Sequence, residues 1–186
     1  MMICVASATD HVAPTAIAAS LALAWMSTRP RPGASRPRLI LADAAVESPQ
    51  AARLLKPLPG GSQEVYTVIP EVDMEHCTRC ERCAGLCVYG AIAVVDGRTL
   101  VFADLCVGCG RCARGCPERA IREIPRLVGK VERGRVGSML LLQGLVEPGV
   151  FDPAPVQRAI RRAVDQRSGD VTILIAPPGV GRHTAE

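Results

Sequence analysis

Apolar residues in this chain gather in short unbroken runs more often than they alternate with polar ones. Ile3 to Ser7 and Leu39-Ile40-Leu41-Ala42 are such runs, of the kind found in strands buried on both faces of a parallel sheet. Between them the apolar stretch Ala16 to Met26 predicts a core helix that starts at about Pro14. Ser27 to Pro37 is rich in Pro and Arg and reads as a solvated connector, and Ala44 to Gly61 as loop with one short helix. Gly129 to Gly144 predicts a β-hairpin with Gly134-Arg135 as its turn and the run Met139 to Leu142 as sheet core. Pro153 to Gln166 carries a helical period. Val156, Ile160, Ala163 and Val164 share one face, Arg158, Arg161 and Arg162 lie away from it, and Pro155 falls in the first turn. Val171 to Ala176 is a further buried strand, followed by Pro177-Pro178-Gly179. The fold class expected is α/β with a parallel sheet.

Composition supports that class. Nearly half of the 186 residues are apolar, while the aromatic supply is Trp25, Tyr66, Tyr89, Phe102 and Phe151, so aliphatic side chains must fill the core. A formal charge of +4, scattered without a Lys/Arg run, argues against nucleic acid as a partner. The stretch Ala16 to Met26 resembles the apolar region of a signal peptide. However, no basic residue precedes it, Asp10 and His11 stand just before it, and it is too short to span a bilayer. The reading is therefore cytoplasmic, without membrane insertion. No nucleophile–base pair and no Ser/His/Asp set is found, so no catalytic residue is assigned and enzymatic activity is not expected.

The cysteines change the picture most. Of nine, Cys4 stands alone and reads as a small buried hydrophobe; the others lie between Cys77 and Cys116. Cys77-x-x-Cys80-x-x-Cys83-x-x-x-Cys87 is repeated as Cys106-x-x-Cys109-x-x-Cys112-x-x-x-Cys116-Pro117, and Ala91-Ile92 falls where Ala120-Ile121 falls in the second copy. Two copies of this unit resemble a two-cluster bacterial ferredoxin, in which three closely spaced thiolates wrap one cubane and the fourth ligates the other. That pattern assigns Cys77, Cys80, Cys83 and Cys116 to one [4Fe-4S] cluster, and Cys106, Cys109, Cys112 and Cys87 to a second. In this reading the fourth cysteine starts a helix that leads away from its own loop. Zinc ribbons use two separated C-x-x-C pairs, a layout these quadruplets do not have. Val88 stands where the second copy has Pro117, which loosens the surroundings of cluster two without removing a ligand. Arg79, Arg82, Arg111 and Arg114 lie within the loops, either favouring the reduced clusters or simply solvated; His76 is similarly open between tuning cluster one and facing water.

The segments around this insert carry a second resemblance. Ile3-Cys4-Val5-Ala6-Ser7, Leu41-Ala42-Asp43, Glu47-Ser48-Pro49, the insert, Gly134-Arg135 and Ile175-Ala176-Pro177-Pro178-Gly179 occur in that order. Together they resemble the MinD/Mrp-type P-loop ATPases that carry an inserted two-cluster ferredoxin domain. The resemblance implies a partial P-loop NTPase-like sheet in residues 1–64 and 126–186, with an α+β ferredoxin-type insert in residues 65–125. Its phosphate loop is degenerate: Ala8-Thr9-Asp10-His11-Val12-Ala13-Pro14-Thr15 retains Thr15 but neither lysine, and Pro14 removes a backbone donor. Asp10 would set about 4 kcal/mol of repulsion against a phosphate, half of the roughly 8 kcal/mol that micromolar binding represents. Asp43 is not followed by the second aspartate of an Asp-x-Asp motif, since Ala45 stands there, and Ile175 replaces an expected Mg²⁺-binding aspartate. These departures imply a pseudo-ATPase that does not use ATP. The family pattern continues beyond the Pro-Pro-Gly turn, so the half-sheet is expected either to be completed by a partner or to belong to a truncated product. The function expected is electron transfer through two [4Fe-4S] clusters, with a redox protein as partner. The alternative is a redox-sensing or metal/iron–sulfur cofactor assembly subunit paired with an active MinD/Mrp-like ATPase.

Overall fold

The unbroken apolar runs lie side by side as parallel strands. The computed structural model describes residues 1–7, 13–30, 32–33, 35, 37–166 and 171–177. Its strands are β1 (Met2–Val5), β2 (Leu39–Asp43), β3 (Leu58–Val72), β4 (Ile92–Val95), β5 (Arg98–Val101), β6 (Ile121–Val136), β7 (Met139–Val146) and β8 (Val171–Ile175). Its helices are α1 (Ala13–Ser27), α2 (Ala51–Leu55), α3 (Arg82–Leu86), α4 (Arg111–Arg114) and α5 (Ala154–Asp165). One sheet has the order β1-β8-β2-β7-β6-β3; the first three neighbouring pairs are parallel and β7 runs antiparallel to β6. The fold is mixed α/β with a mostly parallel sheet. The chain divides into two compact units, Met1–Val65 with Gly129–Val146 and Pro153–Glu186, and Tyr66–Val128 with Glu147–Asp152, so the division falls inside β3 and β6.

In the first unit β2 is wholly buried, as its unbroken apolar run requires. One core cluster joins Leu39, Leu41, Met139, Leu141, Ile173 and Ile175 of the sheet to Ala18 and Ala22 of α1. The small alanines let the α1 backbone come close to the strands. Helix α5 buries Val156, Ile160, Ala163 and Val164, the face its period marks out. Gly144 on β7 admits that helix, because a Cβ there would lie 2.5 Å from Val46, 2.6 Å from Ile160 and 2.9 Å from Val156.

Several expectations need correction. Among the described residues β1 pairs with β8 alone, and Ile3 and Cys4 are exposed rather than buried. Helix α1 buries one face only; Ile17, Leu21 and Leu23 face outward although the helix carries no charge. The β6–β7 turn is Gly137-Ser138, not Gly134-Arg135, and Gly137 supplies the positive φ of 56°. Gly134 is inside β6, where a Cβ would meet Pro57 at 2.7 Å. The long strands β3 and β6 run through Pro59-Gly60-Gly61 and Pro125, residues that argue against strand when read locally. His11, His183 and the phosphate-loop run Ala8 to Val12 lie outside the described residues. Among the described residues no helix is long and apolar enough to cross a membrane.

Asp43 closes the C-terminal end of β2. It is fully buried, and its carboxylate accepts backbone N–H bonds from Ala45 (3.1 Å), Gln50 (3.2 Å) and Ala51 (3.1 Å). Its register partner on β7, Gln143, accepts from Ala52 N–H at 2.9 Å, so these two side chains hold the N-terminus of α2 against the sheet. Burial pushes the Asp43 carboxyl up, while the three backbone donors pull it down. Asp43→Ala leaves those donors without their acceptor and is expected to cost about 2–3 kcal/mol. Thermal unfolding followed by circular dichroism checks this; an unchanged midpoint would contradict the capping role.

Candidate metal centre

The two cysteine loops of the second unit are built on one backbone plan. In the first, Arg79 (φ 59°) and Glu81 (φ 61°) are left-handed; at the same places in the second stand Gly108 (φ 72°) and Gly110 (φ 69°). A third matched pair, Gly90 (φ 65°) and Arg119 (φ 51°), turns the chain into Ala91-Ile92 and Ala120-Ile121. Each pair holds one glycine and one residue with a Cβ, so the loop conformation is imposed by its surroundings and not by glycine content alone.

The hydrogen bonds repeat as well. Cys87 N–H donates to Ala84 C=O (3.1 Å) as Cys116 N–H does to Ala113 C=O (3.4 Å), and Gly90 and Arg119 each donate to the fourth cysteine's carbonyl at 3.2 Å. Two further bonds cross between the copies. Asp73, ahead of the first loop, donates to Ala120 at the end of the second copy, and Phe102, ahead of the second loop, donates to Ala91 at the end of the first, both at 2.8 Å. Between the copies lies a small core of Cys83, Ile92 and Ile121, flanked by Val72 and Val101. Strands β4 and β5 form a hairpin through Asp96-Gly97, both with positive φ, and Asp-Gly is a turn signal legible in the sequence.

This exchange sorts the thiols. Cys77, Cys80, Cys83 and Cys116 line one hollow, and Cys87, Cys106, Cys109 and Cys112 line another. Each set surrounds a space rather than a point: among the described residues no three His, Cys, Asp or Glu side chains converge as ligands to a single ion. The donor set, four thiols around each hollow, fits a polynuclear iron–sulfur group. The short helices α3 and α4 carry the third cysteine of each loop. The fourth follows the helix instead of opening one, because Cys87 already has extended backbone (φ −88°, ψ 95°), which corrects the helix placement expected from the spacing.

Burial pushes the thiols of Cys83, Cys106 and Cys112 up, with neighbouring thiols adding to the effect, so ligand exchange onto iron must release protons. The second thiol of each loop, Cys80 or Cys109, is exposed. Cys77 Sγ lies 3.5 Å from Thr99 Oγ1, and Ala91 N–H donates to Cys87 Sγ at 3.3 Å. Thr99 was missed from sequence because nothing in its neighbourhood marks it before β5 is placed. Arg79, Arg82 and Arg111 line the hollows, whereas Arg114 donates to the Cys109 carbonyl at 2.7 Å. His76 pairs with Asp73 at 2.8 Å rather than with a thiol, and that hydrogen bond holds the Asp73 carboxyl below its ordinary value. Arg126 pairs with Asp104, and Arg122 with Glu71.

The matched left-handed pairs make opposite substitutions informative. A Cβ on Gly108 would lie 2.4 Å from Thr67 Oγ1 and 3.0 Å from the Val68 carbonyl, so Gly108→Ala is expected to destabilise by about 2 kcal/mol. Arg79→Gly is expected to be neutral or to gain up to about 1 kcal/mol, having lost a left-handed non-glycine residue. Thermal midpoints of the two variants should move in opposite directions or leave Arg79→Gly unmoved; equal losses would contradict the shared plan.

Comparison with known proteins bears on the same segment. Residues 76–121 match the 4Fe-4S dicluster domain family. Over 66 residues the chain is 33% identical to the polyferredoxin protein MvhB of Methanothermus fervidus, covering 35% of this chain and 16% of that protein. Over 56 residues it is 38% identical to the pyruvate synthase subunit PorD of Methanothermobacter marburgensis, covering 30% of this chain and 65% of that subunit. Over 59 residues it is 37% identical to the subunit of the same name from Methanocaldococcus jannaschii, covering 31% and 69%. The chain thus spans 16% and 65% of the first two relatives' own length. With the paired loops and their two rings of thiols, these matches place the chain, through residues 76–121, in the two-cluster 4Fe-4S ferredoxin family.

Proposed function

We propose that this protein transfers single electrons through two [4Fe-4S] clusters, one held by Cys77, Cys80, Cys83 and Cys116, the other by Cys106, Cys109, Cys112 and Cys87. The observation that carries this reading is the sorting of the eight thiols into two rings, each made of three from one loop and the fourth from the other copy. Each cluster, when bound, takes up and returns one electron at a potential set by its surroundings. The chain's own part is to supply the thiolates, to hold them apart at cluster spacing, and to keep Ile92 and Ile121 between the two sites. The exposed Cys80 and Cys109 give each site an edge open to a partner. That partner is a redox protein in the same compartment, here taken as the cytoplasm; two of the relatives are named as subunits of pyruvate synthase, which supports association with a redox enzyme.

The first unit serves this reading as a P-loop-like scaffold that does not use ATP. Support comes from α1 following β1 in a parallel sheet, from Pro14 and Thr15 buried in α1, and from Ile175 buried where a metal-binding aspartate is absent. The Asp43 carboxylate is engaged by three backbone donors and offers little to a magnesium ion. The same sheet favours a second reading, a redox-sensing or cofactor assembly subunit bound to an active ATPase relative. Anaerobic co-purification with an intact P-loop protein, instead of an oxidoreductase, would favour it.

Anaerobically purified protein is expected to hold about eight iron atoms per chain and to be reduced by dithionite and reoxidised repeatedly without bleaching. Removal of the iron by a chelator is expected to unfold residues 66–128, whose small core is flanked by the ligand thiols Cys87, Cys112 and Cys116. Irreversible bleaching on one reduction cycle would contradict the electron-transfer role.

A further inference from the structure

The two halves of the insert share a backbone but not a lining. Thr78, Arg79, Glu81, Arg82, Thr99 and Glu118 stand around the first hollow. At the same places of the repeat, around the second, stand Val107, Gly108, Gly110, Arg111, Pro70 and Tyr89.

Charge enters both linings. Arg79 and Arg82 stand with Glu81 and Glu118 around the first, and Arg111 with Glu123 around the second, where Arg126 also acts on the Cys106 thiol. Each site has one exposed thiol, Cys80 or Cys109. Backbone N–H groups reach sulfur at both, from Ala84 to Cys83 at the first and from Ala91 to Cys87, Gly108 to Cys106 and Ala113 to Cys112 at the second. At the first site the Thr99 hydroxyl also lies 3.5 Å from Cys77 Sγ.

At two matched places the linings differ in polarity. The first site has the hydroxyls of Thr78 and Thr99 where the second has Val107 and Pro70; at another the order reverses, with Val94 at the first where Glu123 stands at the second, and Tyr89 brings a hydroxyl to the second. Reduction adds one negative charge to a cluster and its thiolates. An apolar wall penalises that charge, while dipoles that can turn toward it stabilise it. A thiolate sulfur can only accept, so the Thr99 hydroxyl must donate to Cys77 when the cluster is bound, and the bond strengthens as charge is added.

We propose that Thr99, acting through the Cys77 sulfur, is a positioning residue that raises the potential of the cluster that Cys77, Cys80, Cys83 and Cys116 would hold and leaves that of the other unchanged. The proposal rests on the ligation described under Proposed function. On reduction by a low-potential one-electron donor, which is oxidised by one electron, that cluster would gain one electron with no bond formed or broken, and the hydroxyl would offset part of the added charge. Pro70, the counterpart of Thr99, has no side-chain donor, so the second cluster would lack this contribution.

Potentiometry followed by electron paramagnetic resonance on the fully loaded chain tests this. Thr99→Val is expected to move one of the two one-electron waves of the wild type toward more negative potential and to leave the other in place, and Thr99→Ser should restore it; Thr99→Ala replaces the valine variant if that variant does not load. Both waves unmoved, or both moved alike, in a loaded Thr99→Val or Thr99→Ala protein would overturn the inference while leaving the ligation intact. Failure of the wild type to bind two clusters would overturn the ligation reading and this inference with it.

Discussion

The second unit depends on an exchange between its two copies. Neither loop completes itself: the backbone ahead of each bonds to the end of the other copy, and the fourth cysteine of each lies in the other's ring. A repeat closed in this way has no large core to rely on. Cys83, Ile92 and Ile121 are its buried centre, and thiols form much of the flanking shell. Folding and metal binding are therefore tied together, because the groups that would bind the metal are also the packing between the halves.

The same exchange explains a backbone feature that composition conceals. Three left-handed positions recur in each copy, and each is glycine in one copy only. A residue such as Glu81 or Arg119 holds a conformation its Cβ disfavours because the surrounding bonds over-determine it. Symmetry of the backbone with asymmetry of the side chains leaves two hollows of one backbone plan with different linings.

Much of this was legible in the residues. Cysteine spacing marks the thiol sets because a tight loop and a distant fourth ligand leave little geometric freedom, and the α5 period marks the face that is buried. Unbroken apolar runs identified β2 and β8, but not that β1 pairs with β8 alone among the described residues, since a run of apolar residues says nothing of how many neighbours a strand has. The hairpin turn was misplaced because Gly134 and Gly137 are both plausible turn residues; Gly134 is needed instead where Pro57 leaves no room for a Cβ. Long strands through Pro59 and Pro125 were not legible, as local propensity opposes them and only the pairing partners permit them. Thr99 became visible only through β5, which brings it beside a thiol distant in sequence.

The central claim is the crossed sharing of the thiols, and iron content of two double variants tests it most directly. Cys77→Ala with Cys116→Ala damages one ring twice and is expected to keep about half of the wild-type iron, whereas Cys106→Ala with Cys116→Ala damages both rings and is expected to lose nearly all of it. The reverse order, with the Cys106/Cys116 pair retaining half and the Cys77/Cys116 pair losing both, would mean that each copy binds its own cluster and would contradict the account.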